Sequence, residues 1–245
     1  MLEINRIYNE DCLEGLKRLD GKSVDLIVTD PPYDVHVELE NCSTKISKSV
    51  AKAHTELSES NIISGFDEKI LDEFMRVMKV PNIYIWCNAK QIPMYLDYFY
   101  KKHNCNYDFL FWWKTNAPPL INNKYLTDKK YCLYFRKNGY CHPDNYENGA
   151  TVYKAPMNKR DKEIWGHPTI KPLPFIETMI KNSSHKGDLI LDAFMGSGTT
   201  AVAAVNTDRD YIGFEINKKF YNTACKRIEE AKNMRDLHDF LSSKE

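Results

Sequence analysis

Residues 188–200 read DLILDAFMGSGTT, and residues 210–215 read DYIGFE. The apolar run 188–193 has the length and composition of a buried strand, and Gly196 and Gly198 let the backbone turn tightly after it. Small and β-branched residues then carry a helix from about Thr199 to Val205. The next apolar run, 210–214, is a second strand that ends on the acid Glu215. Strand, glycine turn, helix and strand in this order form the repeating unit of a parallel sheet covered on both faces. The free N–H groups at the helix start and a carboxylate at the end of the following strand suit a nucleoside ligand whose ribose hydroxyls need an acceptor. The Gly-Lys-Ser/Thr ending of a phosphate-cradling loop is missing, so the turn is not of that kind.

The same alternation extends outward. Strands are expected at 2–8, 24–29, 82–87, 107–113 and 130–136, which with the two above make seven. Helices are expected at 11–19, 67–78, 90–102 and 173–182, and a last one from about Lys218 into the 230s. The strand VDLIVT runs into Asp30-Pro31-Pro32-Tyr33, where two prolines force a turn. That tetrad suits an exocyclic base amine, whose lone pair is delocalised into the ring. Asp30 and the Pro31 carbonyl each accept one N–H, which frees the lone pair for attack, and Tyr33 stacks on the base. A third segment, His167-Pro168-Thr169-Ile170-Lys171-Pro172, precedes a helix and reads either as a proline-bracketed helix entry with an exposed Lys171 or as one in which Lys171 meets a carboxylate and Thr169 bonds a ligand.

Composition bounds the rest. The chain has 245 residues, 42% hydrophobic and 28% charged, within the size of one α/β domain. No apolar run approaches a membrane span, and the N-terminus does not read as a signal peptide. Seven cysteines without a CxxC pair argue against a disulfide framework and a zinc site, and point to a reduced, cytoplasmic setting with no metal. The formal net charge is zero, but Lys114–Lys162 carries ten Lys/Arg against four acids. A basic, turn-rich segment on a neutral chain suits a face that meets phosphates, or a solvated loop. Residues 34–64 are polar with little periodicity and read as a mobile loop, with a helical turn around Val50–Leu57. Trp112 and Trp113 are both expected in the core.

Together, and in this order, the three motifs resemble the amino-methyltransferases of DNA, in the permuted order of the β class. The resemblance implies an α/β Rossmann-like, S-adenosylmethionine-dependent fold with a mostly parallel seven-stranded sheet and helices on both faces. It implies one domain over 1–245, a loop at 34–64 that closes over DNA, and a small target-recognition insertion at 114–165. The catalytic residues are then Asp30, Pro31, Pro32 and Tyr33. Asp192, Phe194, Gly196 and Gly198 shape the cofactor pocket, and Ser197, Thr199 and Thr200 line it. Glu215 takes the ribose and Asp11, beside Cys12, faces the cofactor's adenine. His167, Thr169 and Lys171 lie near its methionine carboxylate. Candidates for DNA contact are Lys45, Lys48, Asn116, Asn122, Asn123, Lys124, Lys129, Lys130, Arg136, Lys159 and Arg160. Implied partners are double-stranded DNA, a second copy of the chain and a cognate restriction endonuclease, in a bacterial or phage-encoded system. The resemblance leans to adenine N6 over cytosine N4. An RNA methyltransferase and a non-catalytic relative are the rival readings, and the intact DPPY tetrad and glycine loop weigh against the second.

Overall fold

The structure is a computed structural model that describes residues 2–33, 66–119, 125–157, 159–166 and 170–242. The expected loop 34–64, with Lys45, Lys48 and the turn at 50–57, lies outside the described residues. So do Asn122, Asn123, Lys124, His167, Thr169 and the side chain of Lys159.

Eight strands form one sheet: β1 (Arg6–Tyr8), β2 (Leu26–Thr29), β3 (Asn82–Cys87), β4 (Asn106–Lys114), β5 (Lys129–Arg136), β6 (Val152–Ala155), β7 (Leu189–Asp192) and β8 (Asp210–Phe214). Their spatial order is β1-β8-β7-β2-β3-β5-β4-β6, and only β5 runs against the others. Seven helices are described: α1 (Cys12–Lys17), α2 (Lys69–Val77), α3 (Ile92–Tyr95, continued by a wider turn over Leu96–Lys102), α4 (Lys159–Trp165), α5 (Leu173–Ser183), α6 (Thr199–Asn206) and α7 (Lys218–Ser242).

The central strands explain the layering. LIVT in β2 and NIYIWC in β3 are buried along their whole length, as strands covered on both faces must be. Alternate side chains feed two cores. Leu26, Val28, Tyr84 and Trp86 pack with Phe175, Ile176 and Met179 of α5 and with Val202 of α6. Ile27, Ile83 and Ile85 pack on the other face with Leu16 of α1 and with Leu71, Phe74 and Val77 of α2. Helix α6 is alanine-rich and nearly all buried, so it approaches the sheet closely.

Three expectations change. The sheet has eight strands, because Val152–Ala155 adds an edge strand parallel to β4 inside the segment expected to be turns. Four alternating residues between Gly149 and Pro156 are too short to stand out by pattern. The first strand starts at Arg6, after Asn5 in the left-handed region at φ 59°. Trp113 is on the surface, 41% exposed, with the Lys154 ammonium 4.9 Å from its ring, whereas Trp112 is buried and donates its indole N–H to the Ala155 carbonyl. Successive strand residues face opposite sides, so two adjacent tryptophans cannot share one core face.

Candidate active site

Strands β2 and β7 are parallel neighbours, with Ile27 opposite Leu191. Their carboxyl ends therefore meet at one edge, and motifs far apart in sequence come together. Thr29 at the end of β2 donates its hydroxyl to Asp192 Oδ1 at 2.8 Å. A cavity of about 370 Å³ opens at this edge, within the range of small-molecule sites. Asp11, Cys12, Thr29, Asp30, Pro32, Lys171, Asp192, Phe194, Gly196, Ser197, Thr199, Thr200 and Glu215 line it. This is the edge at which open α/β sheets bind ligands.

The cofactor half is built on hydrogen-bonded carboxylates. Asp192 is buried and accepts from Thr29, from Thr200 Oγ1 at 2.6 Å and from the Phe194 N–H at 3.0 Å. Burial pushes its carboxyl up to about 6, against the pull of those three donors. Glu215 accepts from the Gly196 N–H through Oε2 and from the Asn217 N–H through Oε1, each at 2.7 Å. Burial raises its carboxyl also. It thus pins the glycine turn while its oxygens border the cavity. Asp11 caps α1 by accepting from the Leu13 and Glu14 N–H groups, and so holds its place at the rim. The Cys12 thiol is pushed up to about 12 by burial and by Asp11, which makes it an inert wall.

Several of these residues also hold the loop in place. Gly198 is at φ 83°, and a Cβ there would come within 2.9 Å of the Ala224 Cβ, so it serves the turn and the seat of α7. Ser197 Oγ and Thr199 Oγ1 accept from Arg227 at 2.9 and 3.1 Å, and the Ser197 carbonyl accepts at 2.7 Å. Arg227 is buried on α7, with Trp165 at 5.5 Å over its guanidinium. Sequence reading missed it, since an arginine in an amphipathic helix looks solvated. It also missed Phe66, which packs on Phe194 at 5.9 Å, and Ile216, both of which line the cavity.

The DPPY turn is closed on itself. Asp30 accepts from the Tyr33 hydroxyl through Oδ1 at 2.5 Å and from the Lys171 ammonium through Oδ2. Lys171 is 6% exposed and sits 5.1 Å from the Trp86 ring. Its partner is the Asp30 carboxylate, in line with the expectation that Lys171 meets a carboxylate, and it also lines the cavity. Tyr33 is buried, and burial and Asp30 together raise its phenol, so it stays protonated as a donor. The Pro32 carbonyl accepts from Gln91 Nε2 at 3.1 Å, which fixes the turn. Among the described residues the Pro31 carbonyl has no such partner.

The basic residues divide by the direction of β5. Because β5 is antiparallel to β3, Lys129 and Lys130 lie at the site edge, while Arg136 pairs with Asn82 at the opposite edge. The separation along the strand is roughly 20 Å. Arg136 packs on Tyr134 at 5.8 Å. Lys130 points inward, with its ammonium 4.2 Å from the centre of the Tyr33 ring. Asn116 is tied to the Met157 backbone, accepting its N–H at 2.7 Å. Lys129 and Arg160 remain exposed.

This arrangement, a glycine turn and a carboxylate-terminated strand beside a DPPY turn, defines an α/β enzyme of the DNA methyltransferase class. A sequence profile of the N6_N4_Mtase family, described as DNA methylase, matches residues 24–226, and the chain belongs to that family. Among its relatives, the Type II methyltransferase M2.MboI of Moraxella bovis is 29% identical, over 91% of this chain and 87% of its own. The DNA adenine methyltransferase YhdJ of Escherichia coli K12 is 25% identical, over 94% and 84%. The crystal structure of an M1.HpyAVI–SAM complex superposes with a TM-score of 0.63 at 26% identity, covering 91% of this chain and 98% of that one. The cytosine-N4-specific PvuII methyltransferase has a TM-score of 0.68 at 16% identity, over 93% and 90%, which is a likeness of fold.

Proposed function

We propose that this chain transfers a methyl group from S-adenosylmethionine to N6 of an adenine flipped out of duplex DNA. The observation that carries the reading is Asp30 at the shared edge of β2 and β7, with the cavity of the glycine loop on one side and Tyr33 on the other. The cavity suits this cofactor. It offers carboxylates at Asp11 and Glu215, a glycine turn without side chains in the way, and apolar walls at Phe194, Phe66 and Ile216. When bound, the cofactor supplies an activated methyl on a sulfonium.

The chain's own residues then position the acceptor. Asp30 and the Pro31 carbonyl take the two N–H bonds of the amine, and Tyr33 turns from Asp30 to stack on the base. Lys171 holds the Asp30 carboxylate in place. Much of the acceleration is placement of amine and methyl in line. Lys129 and Arg160 are proposed phosphate contacts. The choice of adenine is supported by relatives such as YhdJ, whose name states it. Cytosine N4 presents the same amine chemistry, and a cytosine-N4-specific enzyme shares the fold.

The test is transfer of labelled methyl to duplex DNA and to RNA, with separation of the product nucleosides. Labelled N6-methyldeoxyadenosine from DNA is the expected product. Label in N4-methyldeoxycytidine overturns the choice of base, and label in RNA alone overturns the substrate.

A further inference from the structure

Lys130 is a basic side chain beside the Tyr33 ring, and positioning the amine does not require it. It lies near the start of β5 at the carboxyl edge of the sheet, and its ammonium is 4.2 Å from the Tyr33 ring centre. Among the described residues no oxygen accepts a hydrogen bond from that ammonium. Lys130 is half-buried; an ammonium with three donors and no oxygen acceptor is costly there, and lysines in such places shed their proton readily.

Several elements contribute the groups around it. Asp30 and Tyr33 face it from the turn after β2, Lys171 from the segment before α5, Cys87 from the end of β3 and Lys114 from the end of β4, while Cys132 follows two residues on in β5. Burial keeps both thiols and the phenol protonated. The Lys114 ammonium donates to the Thr127 carbonyl at 2.7 Å. Asp30 is the one anion in this set, and Lys171 already holds it. If Lys130 is charged as well, two cations flank one carboxylate just where methyl transfer builds positive charge on the amine nitrogen. Like-charge repulsion therefore favours the neutral amine.

We propose that Lys130, as a neutral amine, accepts the proton that the target amine releases during methyl transfer. This rests on the amine-methylation reading and holds for adenine N6 and cytosine N4 alike. The lone pair of the target nitrogen forms the new N–CH3 bond as the carbon–sulfur bond breaks, and the pair of the broken bond stays on sulfur. The nitrogen is left positive and gives up one N–H proton, whose bonding pair returns to nitrogen. The Lys130 Nζ lone pair takes the proton, and the ammonium later releases it to solvent. Asp30 is the weaker candidate, because Lys171 already donates to one of its oxygens and the other is the one that Tyr33 leaves to the target amine's N–H. Burial first, then Lys171, pushes the Lys130 ammonium down to about 8, so a useful fraction is neutral at physiological pH.

The experiment is single-turnover methyl transfer, with both substrates saturating, measured from about pH 6.5 to about pH 9.5. Wild type is expected to lose roughly tenfold in rate per pH unit below about 8. Lys130→Gln is expected to lose this limb and run about tenfold or more slower at high pH. Lys130→Arg, whose guanidinium keeps its proton, is expected to be slow and flat throughout. Added methylamine is expected to restore rate to Lys130→Ala, a rescue that a packing role does not give. Calorimetric binding of S-adenosylmethionine confirms that each variant is folded. A Lys130→Gln enzyme with the wild-type rate and pH limb overturns the proposal while methylated product still forms. Absence of any N-methylated base from wild type overturns the amine reading, and this inference with it.

Discussion

Asp30 bears two contacts that a substrate amine must compete with, the Tyr33 hydroxyl and the Lys171 ammonium. Lys171 is nine-tenths buried, so its removal leaves a sheltered carboxylate unpaired. Lys171→Met is expected to cut the methyl-transfer rate by tenfold or more at constant cofactor affinity, and an unchanged rate contradicts the pairing. Arg227 sets the opposite expectation. It gives three hydrogen bonds to the glycine loop, to Ser197 and Thr199, and none to the DPPY turn. Arg227→Met is expected to weaken S-adenosylmethionine binding by about tenfold or more, from lost charge-assisted bonds of roughly 1.5–3 kcal/mol each. Titration calorimetry reads this directly, and an unchanged affinity removes the loop clamp from the account. Asp192 carries a pH signature. Its folded carboxyl, at about 6, lies above the unfolded value. The folded state thus holds its proton more tightly, and stability is lost as pH rises through that window. The ligand-free protein is expected to melt lower as pH goes from about 4 to about 7, by an amount on the order of 2–3 kcal/mol. Asp192→Asn is expected to flatten this slope, and an equal slope in the variant contradicts the assignment.

At the scale of elements, the site depends on the turn at the end of each strand. The ends of β2 and β7 are placed by ladder register, and the glycine loop after β7 is placed by α7. Gly198→Ala adds a Cβ against Ala224 at a positive φ, and is expected to lower stability by about 1–3 kcal/mol. Thermal unfolding with and without cofactor reads it, and a neutral effect would mean that α7 yields. The helices and strands expected from sequence hold where periodicity is strong, as in β2, β3, α2 and α6. They fail where an element is short or its signal is shared. β6 has four residues, and α4, Lys159–Trp165, lies in a stretch whose composition suggests turns. The reversal of β5 is not legible either, since a buried strand has the same pattern in both directions. That reversal is what sets Lys130, and not Arg136, beside Tyr33 at the site edge.

Across the whole molecule, family motifs far apart in sequence converge because the sheet order β7-β2-β3 sets the glycine loop beside the DPPY turn. The cavity lining at Asp11, Cys12, Asp30, Asp192, Phe194 and Glu215 is legible in the sequence, since these residues stand at strand and helix ends where chemistry and turn geometry coincide. Arg227, Gln91, Phe66 and the inward turn of Lys130 are not, because their roles arise from packing between elements that sequence pattern does not order. None of the described helices is long and apolar enough to cross a membrane. The central claim is methylation of a DNA base amine through Asp30. Its most direct test is single-molecule sequencing of DNA from a methylation-free bacterial host that expresses the chain, beside the same host expressing Asp30→Ala. The expected result is N6-methyladenine at one recurring motif with wild type and none with the variant. An unmodified genome from folded, cofactor-binding wild-type protein, or equal methylation by the Asp30→Ala variant, contradicts the account.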